Sequence, residues 1–184
     1  MNNIAGKTDI TDDELKGNER IEEAISSLQK EPSQEMLAHT LTVIRRRMNE
    51  NGQFVVAVEP PKPGQVMSMQ LKAVKTGDGK IWWTAFTSFD EELKGADSVM
   101  STFMTDIRKL FVSALEVDDI EGIIINPWNR TIMLDKNLIL YWDSRMCNYV
   151  NIYKNNRNMI IHEYLQRKIR IYYHMNIYTD NENI

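Results

Sequence analysis

Ile81-Trp82-Trp83-Thr84-Ala85-Phe86-Thr87-Ser88 and, further on, Gly122-Ile123-Ile124-Ile125-Asn126-Pro127 decide the fold. Each is an apolar, β-rich run that stops in short polar residues. The first opens a helix at Phe89-Asp90-Glu91-Glu92-Leu93, with Ser88 and Glu91 spaced as a capping box. Helical spacing of Val99, Phe103, Ile107, Leu110, Phe111 and Ala114 predicts one long amphipathic helix from Ser98 to Glu116. A helix between two strands predicts that they lie parallel, joined by a right-handed crossover. Two such strands end side by side, and Thr87-Ser88 and Asn126 then rim a shared pocket.

Working upstream, Gly77-Asp78-Gly79-Lys80 is a hairpin turn signal. Met67, Met69, Leu71 and Ala73 alternate with polar residues, as in a half-buried strand. Phe54 to Val58 is a β-branched run stopped by Pro60-Pro61 and Pro63-Gly64. These strands predict an antiparallel meander. Ile21, Ala24, Ile25 and Leu28 mark a helix over 19–30, and Ser33 caps a second one that carries Leu37, Leu41, Ile44 and Met48. Arg45-Arg46-Arg47 sits where cations suit a helix end, and Asn51-Gly52 closes the segment. Residues 1–17 read as a mobile arm, with Thr11 and Glu14 as a capping box for a short helix.

Downstream, Thr131-Ile132-Met133 is a short extended piece, and Asp135 caps a helix through Leu140. The composition then changes. Residues 143–184 hold 8 Asn and 6 Tyr, against 8 Asn and 1 Tyr in residues 1–142. They carry 4 acids and 6 bases, against 22 acids and 16 bases before them. One reading is the translation of AT-rich DNA. The other is a segment ordered on the body or on a second copy, since Ile160, Ile161, Tyr164, Leu165 and Ile169 have helical spacing.

Composition sets the class. The chain has 184 residues, 42% apolar and 26% charged, with a net charge of −4. That is an ordinary globular domain, and an acidic balance argues against a nucleic-acid binder. The first residues show no basic and apolar leader, and no apolar run spans a bilayer, so no membrane role is expected. A lone cysteine, Cys147, allows no intrachain disulfide. The expected location is the cytoplasm.

The paired motifs, Trp83-Thr84-Ala85-Phe86-Thr87-Ser88 and Gly122 to Pro127, make residues 20–142 resemble the SseB-like N-terminal domain family. That family is named for an enhanced serine sensitivity phenotype in bacteria. The resemblance implies a compact α/β domain and supplies no catalytic residues.

Thr87 and Ser88 stand where a helix N-terminus meets an anion, and Ser88 also stands where it would only cap. Asn126 offers an amide to the pocket, or turn chemistry before Pro127. Trp128 is an aromatic anchor for a partner, or a lid on the sheet end. Trp82 and Trp83 point to opposite faces, so one enters the core and the other needs cover. The arginine triplet reads as a solvated helix end. His39, His162, His174 and Cys147 lack metal-ligand spacing, and no phosphate loop, dinucleotide fingerprint or nucleophile elbow is present.

The expectation is one α/β (or α+β) domain over 18–142, with a mixed sheet of four to five strands. Its expected role is a non-catalytic cytoplasmic bacterial module that binds a protein through Thr87, Ser88, Asn126 and Trp128, with no metal and no cofactor. The alternatives are a small-ligand sensor or enzyme using the same rim, and a homodimer formed through the tail.

Overall fold

A helical pair supports the strands in a computed structural model that describes residues 12–59, 70–95 and 101–142. α1 (Glu19–Lys30) and α2 (Gln34–Asn49) pack together and bury the apolar stripes the sequence predicts. Ser33 is extended, and its Oγ accepts the Met36 N–H at 3.2 Å, so the predicted cap forms. At the other end Asn51 takes the left-handed region, with φ 57. The Gly52 N–H then reaches back to the Arg47 carbonyl at 2.9 Å and closes the helix.

The strands are β1 (Gln53–Glu59), β2 (Gln70–Leu71), β3 (Ala73–Lys75), β4 (Ile81–Ala85), β5 (Ser101–Asp106), β6 (Gly122–Ile125) and β7 (Ile132–Asp135). They form an α+β fold with two sheets, ordered β2-β1-β5 and β3-β4-β6-β7. The expected mixed sheet of four to five strands is the four-stranded β3-β4-β6-β7, and the three-stranded β2-β1-β5 is an additional sheet that the sequence reading did not separate from it. The cause lies at Lys72. Its N–H donates to the Ala57 carbonyl at 2.8 Å, while its carbonyl accepts from the Thr84 N–H at 3.1 Å. The chain before Lys72 pairs with β1, and the chain after it pairs with β4. Just past the end of β4, Phe86 and Val55 of β1 exchange two backbone bonds, of 2.8 and 2.9 Å, and link the two sheets. The predicted meander therefore exists but is shared between two sheets. Met67 and Met69 lie outside the described residues.

A second correction concerns the helix expected from Ser98 to Glu116. Residues 101–106 are β5, antiparallel to β1, and only Ile107–Glu116 is helical, as α4. Thr102, Phe103 and Thr105 suit a strand, and β1 offers them a row of backbone partners. That long-range pairing overrides the helical spacing. Asp106 marks the switch, since its carboxylate accepts the Lys109 N–H at 2.9 Å and caps α4.

β4 and β6 are parallel, as expected. The connection runs through α3 (Phe89–Leu93), β5 and α4 rather than through one helix. All four residues of β6 are buried, the pattern of a strand covered on both faces. A Cβ at Gly122 would lie 2.2 Å from the Leu134 carbonyl oxygen, so the close approach of β7 requires glycine there. The Gly77–Lys80 turn joins β3 to β4, with Gly79 at φ 84. The predicted cap at Asp135 also forms: its carboxylate accepts the Leu138 N–H at 2.8 Å and starts α5 (Lys136–Trp142).

The main core joins α1, α2 and α4 to one face of the strands, with Phe54, Val56, Phe111, Ile123 and Ile125 at its centre. Trp83 is half-buried against that core, and Trp82 is fully buried. A smaller cluster holds Leu15 with Val55 and Phe86. Residues 12–17, read from sequence as part of a mobile arm, therefore pack on the body, with one 3-10 turn at Asp12–Glu14. Residues 1–11 and 143–184 lie outside the described residues, and with them Thr11, the three-dimensional state of the tail and the dimer through it.

Candidate functional site

β4 and β6 do end side by side, and the structure brings Thr87 and Asn126 together. Both are completely buried. The pocket expected at this point is corrected: the strand ends close on one another and on α1. Asn126 Oδ1 accepts the Thr87 backbone N–H at 2.9 Å, and Asn126 Nδ2 donates to Thr87 Oγ1 at 2.8 Å. The single hydroxyl proton of Thr87 goes to Glu22 Oε1, at 2.6 Å. The Thr87 carbonyl accepts Asn18 Nδ2 at 2.8 Å, and the same amide group also donates to the Gln53 carbonyl at 2.8 Å. The backbone of Asn126 is used as well. Its N–H donates to the Ala85 carbonyl at 2.9 Å, and its carbonyl accepts Thr131 Oγ1 at 2.7 Å. Asparagine tolerates the left-handed backbone found here, φ 50, better than most residues.

A charged layer lies beside this knot. Arg130, itself at φ 48, bridges two acids. Its Nη1 lies 2.9 Å from Glu22 Oε2, and its Nη2 pairs with Glu91 Oε1. Glu91 is almost wholly buried and also binds Lys94 Nζ at 2.7 Å and Asn129 Nδ2 at 3.1 and 3.3 Å. Burial pushes the Glu91 carboxyl up, but the hydrogen bonds from Lys94, Arg130 and Asn129 outweigh it and hold it below the ordinary value. Ser88 caps α3, accepting the Glu91 N–H at 3.2 Å. The reciprocal half of the expected capping box is replaced, since the Glu91 carboxylate is spent on Arg130, Lys94 and Asn129.

Trp128 differs from the other three predicted residues. Its side chain is 44% exposed and lies across Gly95, where an added Cβ would come within 2.2 Å of the indole nitrogen. Leu93, at the end of α3, is 65% exposed. The strand ends thus carry a hydrogen-bonded polar interior, in which the Arg130 Nε is buried without a partner among the described residues, and two exposed apolar side chains, Trp128 and Leu93.

Sequence reasoning missed Glu22, Glu91, Asn129 and Arg130 as one group. The signal was Asn126-Pro127-Trp128-Asn129-Arg130, three polar side chains in a five-residue turn after an apolar strand. It also misread Arg47, which is buried rather than solvated. Arg47 Nε donates to Asn18 Oδ1 at 3.0 Å and its Nη2 to the Glu14 carbonyl, which fastens residues 14–18 to α2.

The chain matches no protein-family model, none of the curated proteins searched and no solved structure. Among the described residues no helix is long and apolar enough to cross a membrane. No group of three or more His, Cys, Asp or Glu side chains there is placed to hold a metal.

Proposed function

We propose that this chain is a non-catalytic protein-interaction module of the SseB-like kind, acting in the bacterial cytoplasm on a protein partner through the surface around Trp128 and Leu93. One observation carries the reading: two large apolar side chains, Leu93 and Trp128, are exposed within a few residues of a buried, hydrogen-bonded knot. A pre-organised aromatic anchor of this kind loses little freedom on binding. Thr87, Ser88 and Asn126 then act as the support of the surface and not as its contacts, because their polar groups are engaged internally. The burial and internal pairing of Thr87 and Asn126 argue against the ligand-sensing or enzymatic alternative at this rim, which needs free polar groups facing a substrate.

The test is affinity capture from native lysate with the full chain beside a Leu93→Ala, Trp128→Ala variant matched in melting temperature. A protein held by the first and lost by the second supports the module and its surface. Equal retention by both removes the surface. A co-purifying small molecule, with no protein, replaces the module by a sensor.

A further inference from the structure

β5 is the outer strand of the β2-β1-β5 sheet among the described residues. Its hydrogen-bonding parity follows from one bond. Ile107 N–H donates to the Gly52 carbonyl at 3.0 Å, in the register that pairs Gln53 with Asp106. Residues of odd number in β5 therefore turn their backbone groups toward β1, and Thr102 and Met104 turn theirs outward. The other side of β1 agrees, since Val55 and Ala57 bond away from β5, to Phe86 and Lys72. Among the described residues no group pairs with the outward N–H and C=O of Thr102 and Met104.

Natural edge strands carry charge, proline or a bulge against unwanted pairing. Ser101-Thr102-Phe103-Met104-Thr105 has no charge and no proline, and its register with β1 is unbroken. Phe103 is 38% exposed at this edge.

We propose that this edge is an interface between two copies of the chain, with β5 pairing antiparallel to its own copy about a two-fold axis at Phe103. A two-fold perpendicular to a sheet pairs residues of like parity, so that both copies keep the same face toward the same side. Centred on Phe103, it sets Thr102 opposite the partner's Met104 and Met104 opposite the partner's Thr102. Both are hydrogen-bonded pairs, and together they use all the outward groups of those two residues. Phe103 then faces the partner's Phe103 as a non-hydrogen-bonded pair, the geometry that brings cross-strand side chains closest. No like charges face each other within residues 101–105. The two three-stranded sheets become one continuous sheet. A second copy is favoured over an unrelated strand because a single register satisfies the edge and pairs the exposed aromatic with itself.

The experiment measures molar mass against concentration by light scattering and sedimentation. The full chain is compared with Phe103→Lys, which sets two cations face to face, and Thr102→Pro, which removes an outward N–H at a place where an edge strand tolerates proline. A third pair of variants, Phe103→Cys and Thr105→Cys, is made in a Cys147→Ser background. The wild type is expected to rise toward twice 21.5 kDa, and the lysine and proline variants to remain at 21.5 kDa with unchanged circular dichroism. Phe103→Cys is expected to cross-link on oxidation, since Cα atoms in such a pair lie about 4.5 Å apart, and Thr105→Cys is not. A wild type that stays at 21.5 kDa at every concentration overturns the proposal. So does a dimer that survives both substitutions, or one in which Phe103→Cys fails to cross-link. The cysteine pair decides the matter if either substituted chain fails to fold.

Discussion

Thr87 and Asn126 are polar and buried, whereas Leu93 and Trp128, only a few residues further along the same two segments, are apolar and exposed. Beside the buried Phe86 and Ile125, the polar Thr87 and Asn126 are sealed inside and the apolar Leu93 and Trp128 are not. The difference teaches that this end of the fold is held by hydrogen bonds and ion pairs as well as by apolar burial, while two of its apolar groups are left facing out. A knot of this kind is costly to break, because each removed partner leaves another buried group unpaired. An exposed anchor is cheaper to remove, because no buried polar group of the knot depends on it.

The comparison breaks most sharply at Asn126. Asn126→Ala orphans the buried Thr87 N–H, takes away the donor to the Thr87 hydroxyl oxygen, and places a Cβ-bearing residue without a compensating side chain at φ 50. A loss of about 2–4 kcal/mol is expected by denaturant unfolding. Thr87→Val removes the hydroxyl but keeps the backbone bond to Asn126, and should cost less than Asn126→Ala. If the two are equal, the amide is not the hub.

Arg130→Met ranks next. It leaves Glu22 and the buried Glu91 without their shared cation, while Lys94 and Asn129 still hold Glu91. About 2 kcal/mol is expected, since full loss of a buried pair runs to about 3–5 kcal/mol. A Glu91→Gln, Arg130→Met double variant should recover part of it, because the more deeply buried of the two acids then carries no charge, and only Glu22 still lacks its cation.

Acid sharpens the same point. The Glu91 carboxyl is held below its ordinary value of 4.5. Its stabilising contribution is therefore fully present above that unfolded-state value and disappears as pH falls through the lower folded-state value. Unfolding midpoints measured from neutral pH down into this range should decline more steeply for the wild type than for Glu91→Gln. Equal slopes would mean that the ion pairs contribute nothing to the acid response.

The smallest effect is expected on the outer layer. Trp128→Ala and Leu93→Ala should each change stability by less than about 1 kcal/mol, as exposed sites do. Their effect belongs to partner capture. A large stability loss on Trp128→Ala would instead make the indole a structural lid over Gly95 and withdraw it as an anchor.

Much of the local order was legible. Ser33, Ser88 and Asp135 cap the helices they precede, and Gly77–Lys80 turns β3 into β4. The parallel pairing of β4 and β6 was also expected, and the two motifs do meet. What was not legible is the choice between a pocket and a knot. Thr87 finds Glu22 from 65 positions away and Asn126 from 39, and nothing in either motif announces α1 as the third partner. Burial, and so the role of each polar group, depends on which distant side chain arrives.

The sequence by itself determined the caps, the turn, the apolar faces of α1 and α2 and the two β-rich runs, since propensity and capping act within a few residues. Tertiary structure alone decided that residues 101–106 are a strand, that Lys72 divides one strand between two sheets, and that Thr87 and Asn126 are sealed while Trp128 is not. Those outcomes depend on long-range backbone pairing and on which buried polar groups find partners, and both override local preference when an unpaired group would otherwise be buried.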